Sequence, residues 1–211
     1  MFPLGTALLP GGELPLRVFE ARYRQMVDDL MEESDGRPVV RFGVVLIARG
    51  SEVGGGEVRC DAGTLVLADV TDRLPDGRAL LAGTGTSRFR VVEWLPDDPY
   101  PRARVEVLPE PEPADADLER LHSIDQRLRV VMRQTLEAAG KDVDTIFAAL
   151  DIIDADPLMA DVSPIYRWAN RLQVAPHDQQ RILESADPAG QLDVLEDVME
   201  GLEARAAFGR G

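Results

Sequence analysis

The 211 residues are 45% hydrophobic and 29% charged, ordinary globular proportions that exclude the apolar-poor composition of disordered chains. Lys and Arg total 23 against 38 Asp and Glu, a formal charge of −15 that argues against binding a nucleic-acid backbone or an anionic membrane. A single cysteine, Cys60, excludes an internal disulfide and a cysteine-rich zinc site. No run approaches the roughly 18 apolar residues of a membrane span. The first residues lack the basic and apolar stretches of a signal peptide, so the expected location is the cytoplasm.

In chain order, the first predicted element is a helix near Glu20–Glu33, with Phe19, Tyr23, Met26, Val27 and Leu30 on one face. Strands follow. Arg41–Ile47 is a short apolar run of the kind found in buried strands, and Gly63–Val70 is rich in β-formers. Pro75-Asp76-Gly77 signals a turn, because proline presets φ and glycine accepts positive φ. Arg78–Ala82, Ser87–Leu95 and Ala103–Leu108 supply further strands, and Arg88-Phe89-Arg90-Val91 alternates as a half-buried strand should. Gly83-Thr84-Gly85-Thr86 between two of them predicts a tight turn or bulge.

Pro109, Pro111 and Pro113 interleave with acidic residues, and such a segment cannot sit inside a helix or a central strand. It divides the chain into a β-rich region, 1–108, a linker, 109–117, and a helical bundle, 118–208. Net charge shifts there from −4 over 1–108 to −11 over 109–211. Beyond the linker, Leu118, Leu121, Ile124, Leu128, Val131, Met132 and Leu136 form a helical stripe that stops before Gly140. Val143, Ile146, Phe147, Leu150 and Ile153 predict a second helix. Asp156-Pro157, Ser163-Pro164 and Asp187-Pro188 each pair a capping side chain with a proline suited to the first turn, and Ala175-Pro176 keeps the proline alone.

Chemistry is hard to assemble from these residues. His122 and His177 are the only imidazole bases, and no Gly-x-Ser-x-Gly elbow is present. His122 and Ser123 are adjacent on a helix and point about 100° apart. Lys141, the only lysine, follows Gly140 at a turn, which fits a surface residue better than a Ser-Lys dyad. Cys60 and the two histidines lack zinc-ligand spacing, and Asp151, Asp154 and Asp156 lack the glycine and spacing of a calcium loop. Gly54-Gly55-Gly56 lacks the Lys and Ser/Thr of a phosphate-binding loop. No catalytic residue, cofactor or metal is therefore expected.

One ordered set of motifs carries a resemblance. Phe2-Pro3-Leu4-Gly5, Leu8-Leu9-Pro10-Gly11 and Leu14-Pro15-Leu16-Arg17-Val18-Phe19-Glu20-Ala21-Arg22-Tyr23-Arg24 are followed by Phe42–Ile47, Glu52-Val53-Gly54, Gly63-Thr64, Leu74–Arg78, Gly85, Arg88–Val91 and Pro99-Tyr100. This series resembles the N-terminal, substrate-binding domain family of Lon protease, with a looser match over Pro176–Glu184. Ala21 stands where that family usually has proline, and Val18 where isoleucine is commoner.

The resemblance implies an α+β chain: an N-terminal PUA-like β-barrel with one helix, followed by a C-terminal helical bundle. It implies a non-catalytic module without cofactor that binds unfolded or extended polypeptide, or a protein partner, with a link to proteolysis. Leu8, Leu14, Leu16, Phe89 and Tyr100 are the residues expected to line a peptide groove. The alternative is a PUA-like RNA-binding module, which would need a basic face from Arg41, Arg59, Arg88, Arg90, Arg102 and Arg104.

Overall fold

The apolar run at 41–47 lies within a longer strand, β3 (Val39–Arg49), of the computed structural model, which describes residues 1–53, 55–110, 112–147, 161–172 and 174–208. The strands are β1 (Phe2–Leu4), β2 (Glu13–Val18), β3, β4 (Val58–Arg73), β5 (Ala79–Leu95) and β6 (Arg102–Val107). They run in the order β1-β3-β4-β5-β2, with β6 also on β5, and the sheet curls into a half-barrel. Only the β1–β3 pair is parallel.

Two of these strands carry no prediction above. β1 has three residues, one of them proline. In β2, Leu14, Leu16 and Val18 point one way while Glu13, Pro15 and Arg17 are exposed, the period-2 alternation of a strand covered on one face. Proline is tolerated there because β2 ends the ordered path of the sheet.

The two strands predicted over 78–82 and 87–95 are one. Gly83–Thr86 is not a turn: Thr64 pairs with Arg88 and Val66 with Gly85, so two residues of β5 oppose one of β4, a bulge. The Leu74–Arg78 turn forms as expected, with Gly77 at φ 83°.

The inner face of the sheet buries Phe2, Leu8, Leu16, Val18, Val40, Phe42, Val44, Val66 and Leu81, and α1 (Ala21–Glu33) packs Tyr23, Met26 and Val27 into the same core. Each such side chain contributes about 1.5–3 kcal/mol through removal from water. A smaller cluster holds Val45, Phe89 and Val91.

The described chain divides into two units. The first is Met1–Glu110 together with Ala175–Glu184, and the second is Pro111–Val174 together with Ser185–Gly211. The helix α4 (Pro176–Glu184) thus belongs with the sheet, where it packs on β4. Gln180 donates from Nε2 to the Ala62 carbonyl at 3.2 Å. Arg88, 4% exposed, donates to the carbonyls of Leu183 and Pro109 and pairs with Glu110 at 3.3 Å. The burial of Arg88 departs from the alternation predicted for 88–91, because the bulge and the Leu183 carbonyl supply a polar place for it.

The second unit contains α2 (Asp115–Ala138), helical residues at 143–147, α3 (Pro164–Arg171) and α5 (Pro188–Phe208). The helix stops are those the sequence predicts: Gly140 takes φ 66°, and the Lys141 N–H returns to the Leu136 carbonyl at 2.9 Å. Ser163 accepts from the Ile165 N–H at 3.3 Å, and Asp187 from the Gly190 N–H at 2.9 Å. Leu150, Ile153, the Asp156-Pro157 signal and the Asp151–Asp154–Asp156 cluster lie outside the described residues.

Both α2 and α3 contact α5. Arg120 binds Glu196 and Asp193, and Arg127 binds Glu203, at 2.6–2.7 Å. These hydrogen bonds hold the Glu196 and Glu203 carboxyls below their ordinary value of 4.5. Carboxyls depressed on folding stabilise above that value, and the contribution disappears as pH falls through the folded values. Each side chain is roughly a third exposed, so a pair contributes under about 1 kcal/mol. The expected result is a thermal midpoint that declines below pH 4.5 more steeply in the wild type than in the R127Q variant, as read by circular dichroism; parallel declines would contradict this account.

Candidate functional site

The residues that define the opening motif meet where β2 gives way to α1. Glu20 caps the helix through its backbone, its carbonyl accepting from the N–H groups of Tyr23 and Arg24 at 3.1 and 2.9 Å. The Arg22 Nε–H donates to the Glu20 carboxylate at 3.2 Å, while another Arg22 nitrogen reaches the Glu52 carbonyl at 3.3 Å. The same guanidinium lies 4.5 Å from the centre of the Tyr23 ring, which stacks on Phe2 at 4.1 Å. Arg24 donates to the Asp76 carbonyl in the β4–β5 turn. Burial pushes the Tyr23 phenol well above its ordinary pKa and keeps it neutral. These charges tie α1 to the loops at 52 and 76.

The five groove candidates separate by burial. Leu8, Leu16 and Phe89 are 8%, 9% and 0% exposed and lie in the two sheet cores. Leu14 and Tyr100 are half-buried against the larger core. The Tyr100 hydroxyl donates to Asp29 at 2.8 Å, and its pKa is pushed up to about 12, chiefly by burial and then by that carboxylate.

The outward face of the same strands is different. Register places Arg41, Leu67, Thr84 and Glu13 in one row, Asp69, Ala82 and Pro15 in the next, and Asp72, Leu80 and Arg17 in a third. All ten are exposed, with Leu67 and Leu80 at 42%. Phe19, just beyond β2, continues the outward phase of Glu13, Pro15 and Arg17 and is 57% exposed. Sequence reasoning missed this face because it took Leu14 and Leu16, not their neighbours, as the contact positions. The 13–19 alternation was the available signal.

Five of the six arginines of the RNA alternative have partners within the chain. Arg59 binds Glu57 and Asp97, Arg90 binds Glu106, Arg104 binds Glu93, and Arg88 is buried beside Glu110. The Arg59 hydrogen bonds depress the Asp97 carboxyl, fixing that pair as charged. Arg102 donates to the Pro96 carbonyl at 3.5 Å, and Arg41 sits on the mixed outer face.

Burial, with Glu184 and Asp61 nearby, pushes the Cys60 thiol up, so it is a weak nucleophile at neutral pH. His122 is exposed on α2 beside Gln126. Among the described residues no group of three or more His, Cys, Asp or Glu is placed to hold a metal, and no helix is long and apolar enough to cross a membrane.

Known proteins place this arrangement. A Lon protease of Desulfovibrio desulfuricans is 32% identical over 134 residues, covering 62% of this chain but 14% of that protein. A LON peptidase N-terminal domain and RING finger protein of Schizosaccharomyces pombe is 24% identical over 215 residues, covering 90% of this chain and 43% of its own length. The chain thus spans less than half the length of either relative. In fold, it matches the crystal structure of a Lon N-terminal domain protein from Xanthomonas campestris with a TM-score of 0.60 at 24% identity, over 93% of this chain and 95% of that one. The family profile of the ATP-dependent protease La (LON) substrate-binding domain matches residues 1–200, nearly the whole chain, and the protein belongs to that family.

Proposed function

We propose that this chain is a non-catalytic, cytoplasmic recognition module, linked to proteolysis, that binds extended or unfolded polypeptide on the outward face of β3, β4, β5 and β2. The observation that carries the reading is the exposed alternation of that face: Leu67, Leu80, Ala82 and Pro15 give apolar contact, with Phe19 beside them. Arg41, Arg17, Glu13, Asp69 and Asp72 surround them with both charge signs. An extended chain with apolar residues at alternate positions presents its own period of two to such a surface. Leu14 and Tyr100 pack against the inner core with Leu8 and Leu16 and stand behind the proposed contact face, and Phe89 is buried in the smaller cluster.

The experiment is capture of a reduced, carboxymethylated globular protein, followed by fluorescence anisotropy. The double variant L67D/L80D changes two exposed strand positions, one of them paired with Asp72, so its folding stability should fall by about 1–2 kcal/mol and circular dichroism should show it folded. Its affinity for the unfolded polypeptide should fall about tenfold or more, the effect of losing roughly 1.4 kcal/mol of apolar contact. Unchanged affinity in the folded variant would overturn the placement on this face.

A further inference from the structure

The second unit contains a cleft of about 270 Å³ between α2 and α3. Its apolar wall is Leu118, Leu121, Pro164 and Trp168, and its cationic side is Arg167 and Arg171, one helical turn apart on α3. A smaller cavity of about 50 Å³ adjoins it on the far side of Trp168 and Asp125. Asp125, the acid of the cleft, is already committed: it accepts from the Trp168 Nε1–H at 3.1 Å and the Arg129 Nε–H at 2.7 Å. His122, also in the wall, has its Nε2 2.8 Å from the Gln126 amide.

Arg24 and Arg167 each bury an Nε without a hydrogen-bond acceptor, although the chain carries 38 carboxylates against 23 basic side chains, and of the two Arg167 lines the cleft. A planar two-oxygen anion there meets the outer edge of a guanidinium, its two terminal nitrogens, in fork geometry, while the Nε itself is shut off from the cleft. The long-range field of a chain at −15 favours a singly charged anion over a phosphate. The cleft is slightly smaller than the roughly 300–1,000 Å³ of ligand pockets, so it fits one residue and not a folded partner. Its apolar wall beside the guanidinium calls for an apolar side chain close to the anion.

We infer that this cleft binds the carboxylate end of a polypeptide whose last residue is apolar, with the carboxylate on Arg167 and the side chain against Trp168 and Leu121. That the ligand is a polypeptide end rests on the reading under Proposed function; the anion-plus-apolar chemistry of the cleft stands without it.

The test is calorimetric titration of the whole chain with acetyl-Ala-Ala-Ala-Phe as the free acid, with the same peptide as its C-terminal amide, and with N-acetylphenylalanine. The free acid should bind saturably, with the amide and the R167Q variant each about tenfold weaker or more. The R167K variant, which keeps the charge without the fork, should fall between. The L67D/L80D variant should bind the acid peptide unchanged, which separates this site from the outer sheet face. Equal binding of acid and amide by the wild type would overturn the site without reliance on any variant. N-acetylphenylalanine, which carries the whole last residue, should bind nearly as tightly as the tetrapeptide, and its failure to bind would overturn a one-residue cleft.

Discussion

Replacing Arg88 with Met should lower unfolding free energy by about 2–4 kcal/mol, the range expected when one partner of a buried, hydrogen-bonded charge is removed. The methionine retains much of the apolar stem, so the loss reports on the guanidinium and not on packing volume. That group is 4% exposed and serves the Leu183 and Pro109 carbonyls and the Glu110 carboxylate. It therefore holds two chain segments far from β5 in sequence, the strand-to-linker segment and the end of α4, on the first unit. Urea unfolding measures the loss, and amide exchange over residues 176–184 should accelerate more than exchange in β3. A change within about 0.5 kcal/mol, or uniform acceleration, would contradict the role given to Arg88.

A second substitution tests how closely the strands approach. In Gly63→Ala the new Cβ would lie 2.2 Å from the Val44 carbonyl oxygen and 2.7 Å from the Phe89 ring. The first neighbour is backbone and the second is a fully buried aromatic, so neither can give way cheaply. Overpacking of this kind costs about 1–3 kcal/mol and more where backbone must move, so a loss of about 3 kcal/mol is expected. Gly36→Ala is the control. Gly36 has φ +73° with nothing within 4 Å of an added Cβ, so only the backbone penalty of about 1–2 kcal/mol applies. Equal destabilisation of the two variants in denaturant titrations would show that the close approach at Gly63 is relaxed in solution.

Much of the architecture could be read in the sequence because its signals are local. Helix stops and starts depend on a few adjacent residues, and Gly140, Ser163 and Asp187 act as their chemistry predicts. The order of strands from 39 to 107 was legible for the same reason, through β-formers between turn residues. Strand β2 was missed although Leu14, Leu16 and Val18 alternate with Glu13, Pro15 and Arg17, because proline reads as a breaker until the strand is known to end the sheet path. The bulge at Thr86 and Ser87, beside the Gly83–Thr86 motif, was half legible. Gly83 and Gly85 are small because Val66 and the Leu9 carbonyl approach them, which is tertiary and not turn geometry.

The site was less legible than the fold. Whether Leu16 or Arg17 faces the core depends on the phase of one strand, and a one-residue change exchanges every side chain between faces. Arg88 looked like one of several surface arginines in an alternating strand, and its burial depends on the carbonyl of Leu183, 95 residues away. Arg167 carried no signal, since its position beside Trp168 and Leu121 comes from the packing of α2 against α3.

The most direct test of the central claim is amide hydrogen exchange of the wild-type chain with and without saturating unfolded, carboxymethylated polypeptide. Protection concentrated in β2, in residues 67–72 of β4 and in residues 79–84 of β5, with little change in β1, is the result this account predicts. Absence of protection there, with protection elsewhere or none at all, would contradict polypeptide recognition by the outward face of the sheet.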